Sequence, residues 1–238
     1  MGRAYEVRKA SIQKTGAAKA KLYSNYAKEI YLAAKKGTPE IESNVLLKRL
    51  VEKAKKEQVP SDIINRAIDK AKGAGGEDYE VVTYEGFGPG ASALIIRTLT
   101  DNVNRTVGMV RAAFNKVHKS LGVTNSVSYN YDYLAIISVK NMNEEEVFNA
   151  LLEDGIEPVD FENEDGEIII TVKPTDHNKV KDVLEKLDPN ITYLLDEEGM
   201  YAKDKVTLKG EELELFLRLL NMLEDIDDVS DIYHNVNL

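Results

Sequence analysis

The sequence predicts a multi-domain α+β protein, with an N-terminal helical domain and two α+β domains of the ferredoxin-like type, one inserted in the other. The hydrophobic pattern is helical up to the stretch KGAGGED and then alternates between strands and helices. Between about 133 and 200 the predicted order is β-α-β-β-α-β, the ferredoxin-like unit. The predicted boundaries are 1–76 for the basic helical domain, 77–132 with 205–238 for the discontinuous α+β domain, and 133–204 for the inserted domain.

The helical domain is predicted from apolar residues that recur with a period of about 3.6. A first long helix is predicted over 17–36. Thr38-Pro39 has the pattern of a helix start, because a capping residue precedes a proline at the first helical position. Ser61 is predicted to cap a third helix. The glycine-rich KGAGGED stretch then serves as the linker.

The α+β part begins with two predicted strands, EVVTY and ASALIIRTLT, followed by a helix and by one or two strands in SVSYNYDYLAIISV. Asn143 and Glu146 have the spacing of a capping box. Asp165-Gly166 predicts a hairpin turn, and Thr175 is predicted to cap the next helix. A last helix and the short strand VSDIYHNV complete the chain.

Composition excludes several classes of site. The 238 residues contain no cysteine, which excludes disulfides, thiol nucleophiles and cysteine-ligated metals. No signal core is present and no apolar run approaches the roughly 20 residues of a membrane span, so a cytoplasmic protein without membrane contact is expected. The histidines lack metal-ligand spacing, and His118 and His177 are expected to be solvated helix residues. We therefore expect no cofactor, no metal and no catalytic residue, and favour a monomer.

Charge is distributed unevenly. Residues 1–76 contain 17 basic and 8 acidic residues, a net charge of +9, whereas 77–238 contain 14 and 33, a net charge of −19. A basic end on an acidic body indicates a polyanionic partner, although a solvated lysine-rich face would have the same composition. The residues predicted to contact nucleic-acid phosphates in this region are Arg3, Arg8, Lys9, Lys14, Lys19, Lys21, Lys35 and Lys36.

The stretch YEGFGPG raises the question of a nucleotide site. It lacks the Lys-Ser/Thr of a P-loop, and its glycines precede a strand rather than a helix. Gly86, Gly88, Pro89 and Gly90 are instead predicted to form a tight turn in which at least one glycine has φ > 0. A nucleotide-binding enzyme at this loop ranks third among our functional hypotheses.

Two polar segments remain. In TDNVNRT, Asn102 or Asn104 is expected to cap a helix, and Asn104 with Arg105 is a candidate phosphate contact at the helix start. The acidic run from Glu224 to Asp228 lies at a helix C-terminus, where the helix dipole disfavours negative charge. It lacks the ligand order of an EF-hand, so we expect either a basic neighbour, from another domain or a partner, or simple exposure.

Several motifs together resemble the YebC/PmpR family. YEGFGPG, LTDNVNRT, NSVSYNY and LEDIDDVSDIYHNV occur in family-like order and spacing, and the resemblance extends essentially from end to end. The start MGRAYEV is similar to the short, YeeN-like subgroup, with Tyr5 roughly where longer members have a tryptophan. The resemblance implies three domains and a cytoplasmic regulator without catalysis.

The resemblance also implies the two leading hypotheses for function. Family members are generally described as DNA-binding transcriptional regulators, and this is our first hypothesis. Others resemble translation factors that act on the ribosome, so binding of ribosomal RNA is the alternative. A basic N-terminal domain is compatible with both.

Overall fold

The computed structural model describes residues 16–73, 76 and 78–238. Within this part of the chain the helices are α1 (Gly16–Lys36), α2 (Val45–Lys56), α3 (Ser61–Lys72), α4 (Val103–Asn115), α5 (Glu144–Glu153), α6 (His177–Leu187) and α7 (Gly210–Glu224). The strands are β1 (Glu80–Phe87), β2 (Ala93–Thr100), β3 (Tyr131–Lys140), β4 (Asp160–Glu164), β5 (Glu167–Val172), β6 (Tyr193–Ala202) and β7 (Val229–His234). The α+β class is confirmed.

The described residues divide into two compact units. One unit comprises 129–204, and the other comprises the described residues up to 128 together with 205–238. The second unit therefore contains both the helical part and the sheet built by β1, β2 and β7. The finer division into three domains stays a prediction.

The three N-terminal helices pack around a core that includes Ile30, Leu47 and Ile64. Helix α2 starts later than predicted, because Asn44 rather than Thr38-Pro39 caps it. The Asn44 side chain accepts a hydrogen bond from the Leu47 amide at 3.0 Å and donates to the carbonyl of Ala33 at 3.0 Å. The cap thus satisfies the start of α2 and the end of α1 together.

The predicted Ser61 cap was wrong by one position. Pro60 is the residue before the helix, and Ser61 is already its first residue. The Pro60 carbonyl accepts hydrogen bonds from the amides of Ile63 and Ile64, at 2.9 and 3.3 Å. Because proline occupies the cap position and its side chain has no hydrogen-bond acceptor, this helix starts without a side-chain cap.

The smaller sheet has the order β1-β2-β7, and both pairings are antiparallel. Helices α4 and α7 contribute Phe114 and Phe216 to a core shared with Leu94 and Ile96 of β2. The strand pair β2–β7 confirms that the flanks of the β-α-β-β-α-β unit build one sheet. The sheet joins residues from near the middle and from the end of the chain.

The segment NSVSY does not form the extra strand that the sequence allowed. The carboxylate of Glu85 accepts hydrogen bonds from the amides of Asn125, Val127 and Ser128, at 2.9, 2.8 and 2.9 Å. These amides are therefore used by a side chain instead of by a strand ladder. Burial raises the pKa of Glu85, but the three amides outweigh it, and the net pKa is lowered.

The larger sheet has the order β4-β5-β3-β6 with antiparallel pairings throughout, the ferredoxin-like arrangement that the element order predicted. Asp165 and Gly166 form the β4–β5 turn with φ values of 51° and 77°, which confirms the hairpin. Asn143 caps α5 by accepting a hydrogen bond from the Glu146 amide at 3.0 Å. The Thr175 cap was wrong, because a 3₁₀ turn over Pro174–Asp176 leads into α6.

His177 is not the solvated helix residue that we expected. Its Nε2 lies 2.7 Å from Asp196 and its Nδ1 lies 2.6 Å from Glu198, and its side chain is only 12% exposed. Burial lowers the pKa of His177, but hydrogen bonds to the two carboxylates outweigh this and raise it. Because the ring has a carboxylate acceptor on each side, this environment favours the imidazolium form. His118, in contrast, is exposed as expected.

None of the helices in the described ranges is both long enough and apolar enough to span a membrane.

Candidate nucleic-acid interface

Helix α1 carries lysines at a spacing of seven, which places Lys21, Lys28 and Lys35 on one face. Each of the three contacts an oxygen acceptor within its own structural unit. This face of α1 is therefore packed towards acidic groups of the same molecule. The positive charge on the face is largely neutralised.

Lys21 and Lys28 contact the end of α7. The Lys21 ammonium donates to the carbonyl of Glu224, the last residue of α7, and Lys28 donates to the carbonyl of Asp227 at 3.1 Å. Burial lowers the pKa of Lys21, although the surrounding acids raise it. The expectation of a basic neighbour for the acidic run from Glu224 to Asp228 is thus confirmed. A cation at a helix C-terminus interacts favourably with the helix dipole.

Asp228 is the centre of this contact. Its carboxylate lies 3.2 Å from the Lys28 ammonium and 2.7 Å from the Arg105 guanidinium. The hydroxyls of Thr100 and Thr106 approach the same carboxylate at 3.1 and 2.7 Å. Burial raises the pKa of Asp228, but these donors outweigh it and lower the pKa to about 2. We call these five residues the Asp228 cluster.

A second ion pair network lies beside the cluster. Arg97 of β2 contacts Glu29 of α1 at 3.3 Å and Asp231 of β7 at 3.0 Å. Burial raises the pKa of Glu29, with Arg97 opposing the rise. Helix α1 is therefore held on the small sheet by charges of both signs. A fully basic helix face would lack this complementarity.

The predicted phosphate contacts occupy different environments. Arg3, Arg8, Lys9 and Lys14 lie outside the described residues. Lys19 and Lys36 are exposed and form no ion pair with any described residue. Lys35 is also exposed, but its ammonium lies 2.6 Å from Asp78. Lys21 is only half exposed and is bound to α7.

At the start of α4 the expected asparagine cap is confirmed. Asn102 caps the helix by accepting a hydrogen bond from the Arg105 amide at 3.0 Å, and Asn104 is exposed in the first turn. The Arg105 guanidinium lies 2.6 Å from Asp101 as well as beside Asp228. A phosphate at this position would compete with two carboxylates. As phosphate contacts, Lys21 and Arg105 stay predictions, and their observed role is structural.

Sequence reasoning missed one set of cations. Helix α2 presents Arg49, Lys53 and Lys56, all exposed, at spacings of four and three. Such spacings place side chains on one helix face. We call these three residues the α2 stripe. The pattern RLVEKAKK, read at a helical period, contains the signal that would have found it.

The glycine turn is explained by packing. Gly90 has φ +61°, which confirms a positive-φ glycine, and a Cβ there would lie 2.5 Å from Leu208. A Cβ on Gly86 would lie 2.6 Å from the ring of Phe114. The Gly88 amide donates to the Ser92 carbonyl at 2.8 Å, which closes the turn between β1 and β2. Gly86 and Gly90 are therefore required by the close packing of other segments against this turn.

No group of three or more His, Asp or Glu side chains in the described ranges is arranged to hold a metal ion. The most acidic segment, after α7, has its carboxylate at Asp228 occupied by the cations and hydroxyls of the Asp228 cluster.

Comparison with known proteins finds matches to one protein family along nearly the whole chain. A family model described as the TACO1/YebC N-terminal domain matches residues 3–74. A second, described as the TACO1/YebC second and third domain, matches residues 79–236. Together the two models account for nearly all of the sequence.

Individual relatives are similar over their full lengths. A protein of Acholeplasma laidlawii is 47% identical over 99% of this chain and 98% of its own. One of Chromohalobacter salexigens is 44% identical over 100% of this chain and 99% of its own. Both are named "Probable transcriptional regulatory protein".

A solved structure supports the fold. The crystal structure of a conserved hypothetical protein from Aquifex aeolicus superposes with a TM-score of 0.76 and 34% identity, over 94% of this chain and 92% of that one. With two family models, close full-length relatives and a shared fold, the chain belongs to the TACO1/YebC family.

Proposed function

We propose that this protein is a non-enzymatic regulator that binds nucleic acid through its helical domain, with DNA as the first target. The names of its relatives support a regulatory role for the family. The observation that carries the nucleic-acid proposal is the exposed positive charge of the helical domain, which includes Lys19, Lys36 and the α2 stripe. A regulator of this kind acts in the cytoplasm and needs no cofactor.

The proposed interface combines two sets of cations. The first is the N-terminal segment with Arg3, Arg8, Lys9 and Lys14, which precedes α1. The second is the α2 stripe together with Lys19 and Lys36. Phosphate contacts by lysine and arginine supply most of the affinity in such interfaces and make it dependent on salt. Asn104 is a weaker candidate, because its neighbour Arg105 is held by carboxylates.

The acidic body restricts the type of binding. Residues 77–238 have a net charge of −19, so a long polyanion is attracted only at the basic end. This favours a short specific site over general coating of DNA. It is equally compatible with a composite target such as ribosomal RNA within a ribosome, which is our alternative.

Two triple substitutions test the proposal. R8A/K9A/K14A in one variant and R49A/K53A/K56A in another should each weaken binding to a DNA or RNA probe. Each should also flatten the log–log salt dependence by about two to three units, because roughly 0.7 to 0.9 units accompany each phosphate contact. The melting temperature of R49A/K53A/K56A should change little, since exposed charges contribute little to stability.

The control is K173A/K179A/K186A, which removes three exposed cations from the acidic unit. It should leave binding almost intact. Equal losses from all three variants would mean that total charge governs affinity, and no loss from the first two would remove the helical domain from the interface. Crosslinking in cells followed by sequencing, with washes at two salt concentrations, separates promoter DNA from ribosomal RNA.

A further inference from the structure

The unit comprising 129–204 has a charge unsuited to nucleic acid. It contains 20 acidic and 6 basic residues, a net charge of −14. Such a surface repels phosphates and attracts cations over about 10 Å at moderate ionic strength. Any partner of this unit must therefore be neutral or basic.

This unit has a groove at one edge of its sheet. Phe148 of α5 and Phe161 of β4 meet edge to face, with ring centroids 5.0 Å apart and an interplanar angle of 68°. Together with Asn143, Glu144 and Glu145 they line an open groove of about 530 Å³. Phe148 is 37% exposed, although most phenylalanine side chains are buried.

Apolar surface continues beyond the two rings. Leu152, one turn after Phe148 on α5, is 44% exposed, and Val159, two residues before Phe161, is 49% exposed. By helix and strand periodicity each residue lies on the same side as its aromatic neighbour. The groove is thus part of an apolar strip along α5 and β4, which is a common property of binding surfaces.

The strip lies beside the outer edge of the larger sheet. Among the strands of the described residues, β4 is the outermost strand of this sheet and has β5 as its neighbour. An extended peptide can add to such an edge through main-chain hydrogen bonds and place alternate side chains in a neighbouring groove. A second copy of this chain is a poor occupant, because Asp160, Glu162 and Glu164 of two antiparallel β4 strands would repel each other.

The rim of the groove is acidic. Glu144 and Glu145 lie in the first turn of α5, and the Asn163 side-chain amide holds the Glu144 carboxylate at 2.6 Å. A carboxylate rim above aromatic rings suits lysine or arginine side chains, which interact with both. We propose that the groove between α5 and β4 binds an extended basic segment of a partner protein, with alternating cationic and apolar side chains.

The test uses the full-length protein and a labelled peptide, Lys-Val-Lys-Phe-Lys-Val-Lys, blocked at both ends. Fluorescence anisotropy should show salt-sensitive binding, and the same peptide with glutamate for lysine should not bind. F148A and E144Q/E145Q should each weaken binding at least about five-fold. The control E153Q/D182N removes the same charge from exposed positions of the same unit, and it should change binding less than about two-fold.

Three outcomes would overturn the proposal. Equal weakening by E144Q/E145Q and E153Q/D182N would show that the peptide is attracted by the total negative charge of the unit and not by the groove. Dimers in sedimentation that F148A disrupts would assign the groove to a second copy. Tighter peptide binding by R8A/K9A/K14A would assign it to the basic start of this chain. A DNA probe that fails to compete with the peptide is the expected result, so this proposal and that of nucleic-acid binding fail independently.

Discussion

Lysines on two sides of the helical domain have the same chemistry and opposite environments. Lys21 and Lys28 face the end of α7 and Asp228, where carbonyl and carboxylate oxygens accept hydrogen bonds from their ammonium groups. Lys36 and the α2 stripe face solvent. The positive charge of the helical domain therefore contains two populations, one that contacts acceptors at the end of α7 and one that is exposed on the surface.

The largest effect is expected at the Asp228 cluster. Asp228→Asn removes the charge that Lys28 and Arg105 surround and leaves a partly buried ammonium without its anion. We expect a loss of about 2 to 4 kcal/mol in the free energy of unfolding, measured in urea. The exposed Asp225, replaced by Asn, should change it by less than about 0.5 kcal/mol. Similar losses from both would contradict the cluster's role.

The same residue predicts a dependence on acid. The pKa of Asp228 is lowered to about 2 in the folded protein, against roughly 3.9 in an unfolded chain. Its contribution to stability is therefore complete above about pH 5 and is lost as pH falls from about 4 to 2. Urea titrations of the wild type and of Asp228→Asn should converge across this range, and parallel curves would argue against it.

Two glycines also have opposite environments, since Gly90 is tightly packed and Gly108 has free space around it. Gly90→Ala places a Cβ at positive φ and 2.5 Å from Leu208, whereas a Cβ at Gly108 meets nothing within 4 Å. We expect the first substitution to cost about 1 kcal/mol or more, and the valine variant to cost more still. Gly108→Ala, within α4, should stabilise by up to about 1 kcal/mol. A neutral result at Gly90 would indicate that the turn adapts.

A partly buried histidine and an exposed one should differ in how they make stability depend on pH. The folded pKa of His177 is raised, so its contribution to stability is complete below the unfolded value of roughly 6.5 and is lost as pH rises through the folded value. Unfolding measured between pH 6 and 9 should show this loss in the wild type and not in His177→Gln. The variant His118→Gln should show the same loss of stability with rising pH as the wild type, since His118 is exposed.

The smallest stability effects are expected for the lysines themselves. Lys21→Gln should cost about 0.5 to 1 kcal/mol through its lost contact with Glu224, and Lys36→Gln should be neutral within about 0.5 kcal/mol. For nucleic-acid binding we expect the larger effect from Lys36→Gln, which should flatten the log–log salt dependence by up to about one unit, and the smaller effect from Lys21→Gln. If both lysines behave alike in both assays, the two populations do not exist.

Local patterns predicted most of the elements. The 3.6-residue period located the helices, and the order β-α-β-β-α-β was sufficient for the ferredoxin-like sheet, because few topologies accommodate it. Helix starts were less predictable. Asn44 was missed as a cap because its side chain also serves the end of α1, a contact that depends on how the helices pack.

Distant partners were not predictable from local sequence. The three amides near Val127 read as part of a strand, and only the folded chain brings Glu85 to them. Likewise, the spacing of Lys21 and Lys28 indicated one helix face, but nothing near them indicated acceptors about 200 residues away. What the sequence did indicate was the charge imbalance, because the acids after α7 suggested a basic neighbour, with simple exposure as the alternative.

The position of Asp228 in the chain has a consequence for biosynthesis. Helix α1 and strands β1 and β2 precede residues 129–204 in the sequence, whereas the acceptors of Lys21 and Lys28 and the third strand of the small sheet, β7, follow them. The unit of 129–204 is continuous and is complete before them. Since domains generally fold as their residues emerge, the continuous unit can fold during translation, while Lys21 and Lys28 of α1 lack these acceptors until residues 224–228 have been made. An arrested or truncated chain would therefore be more cationic at its start than the finished protein.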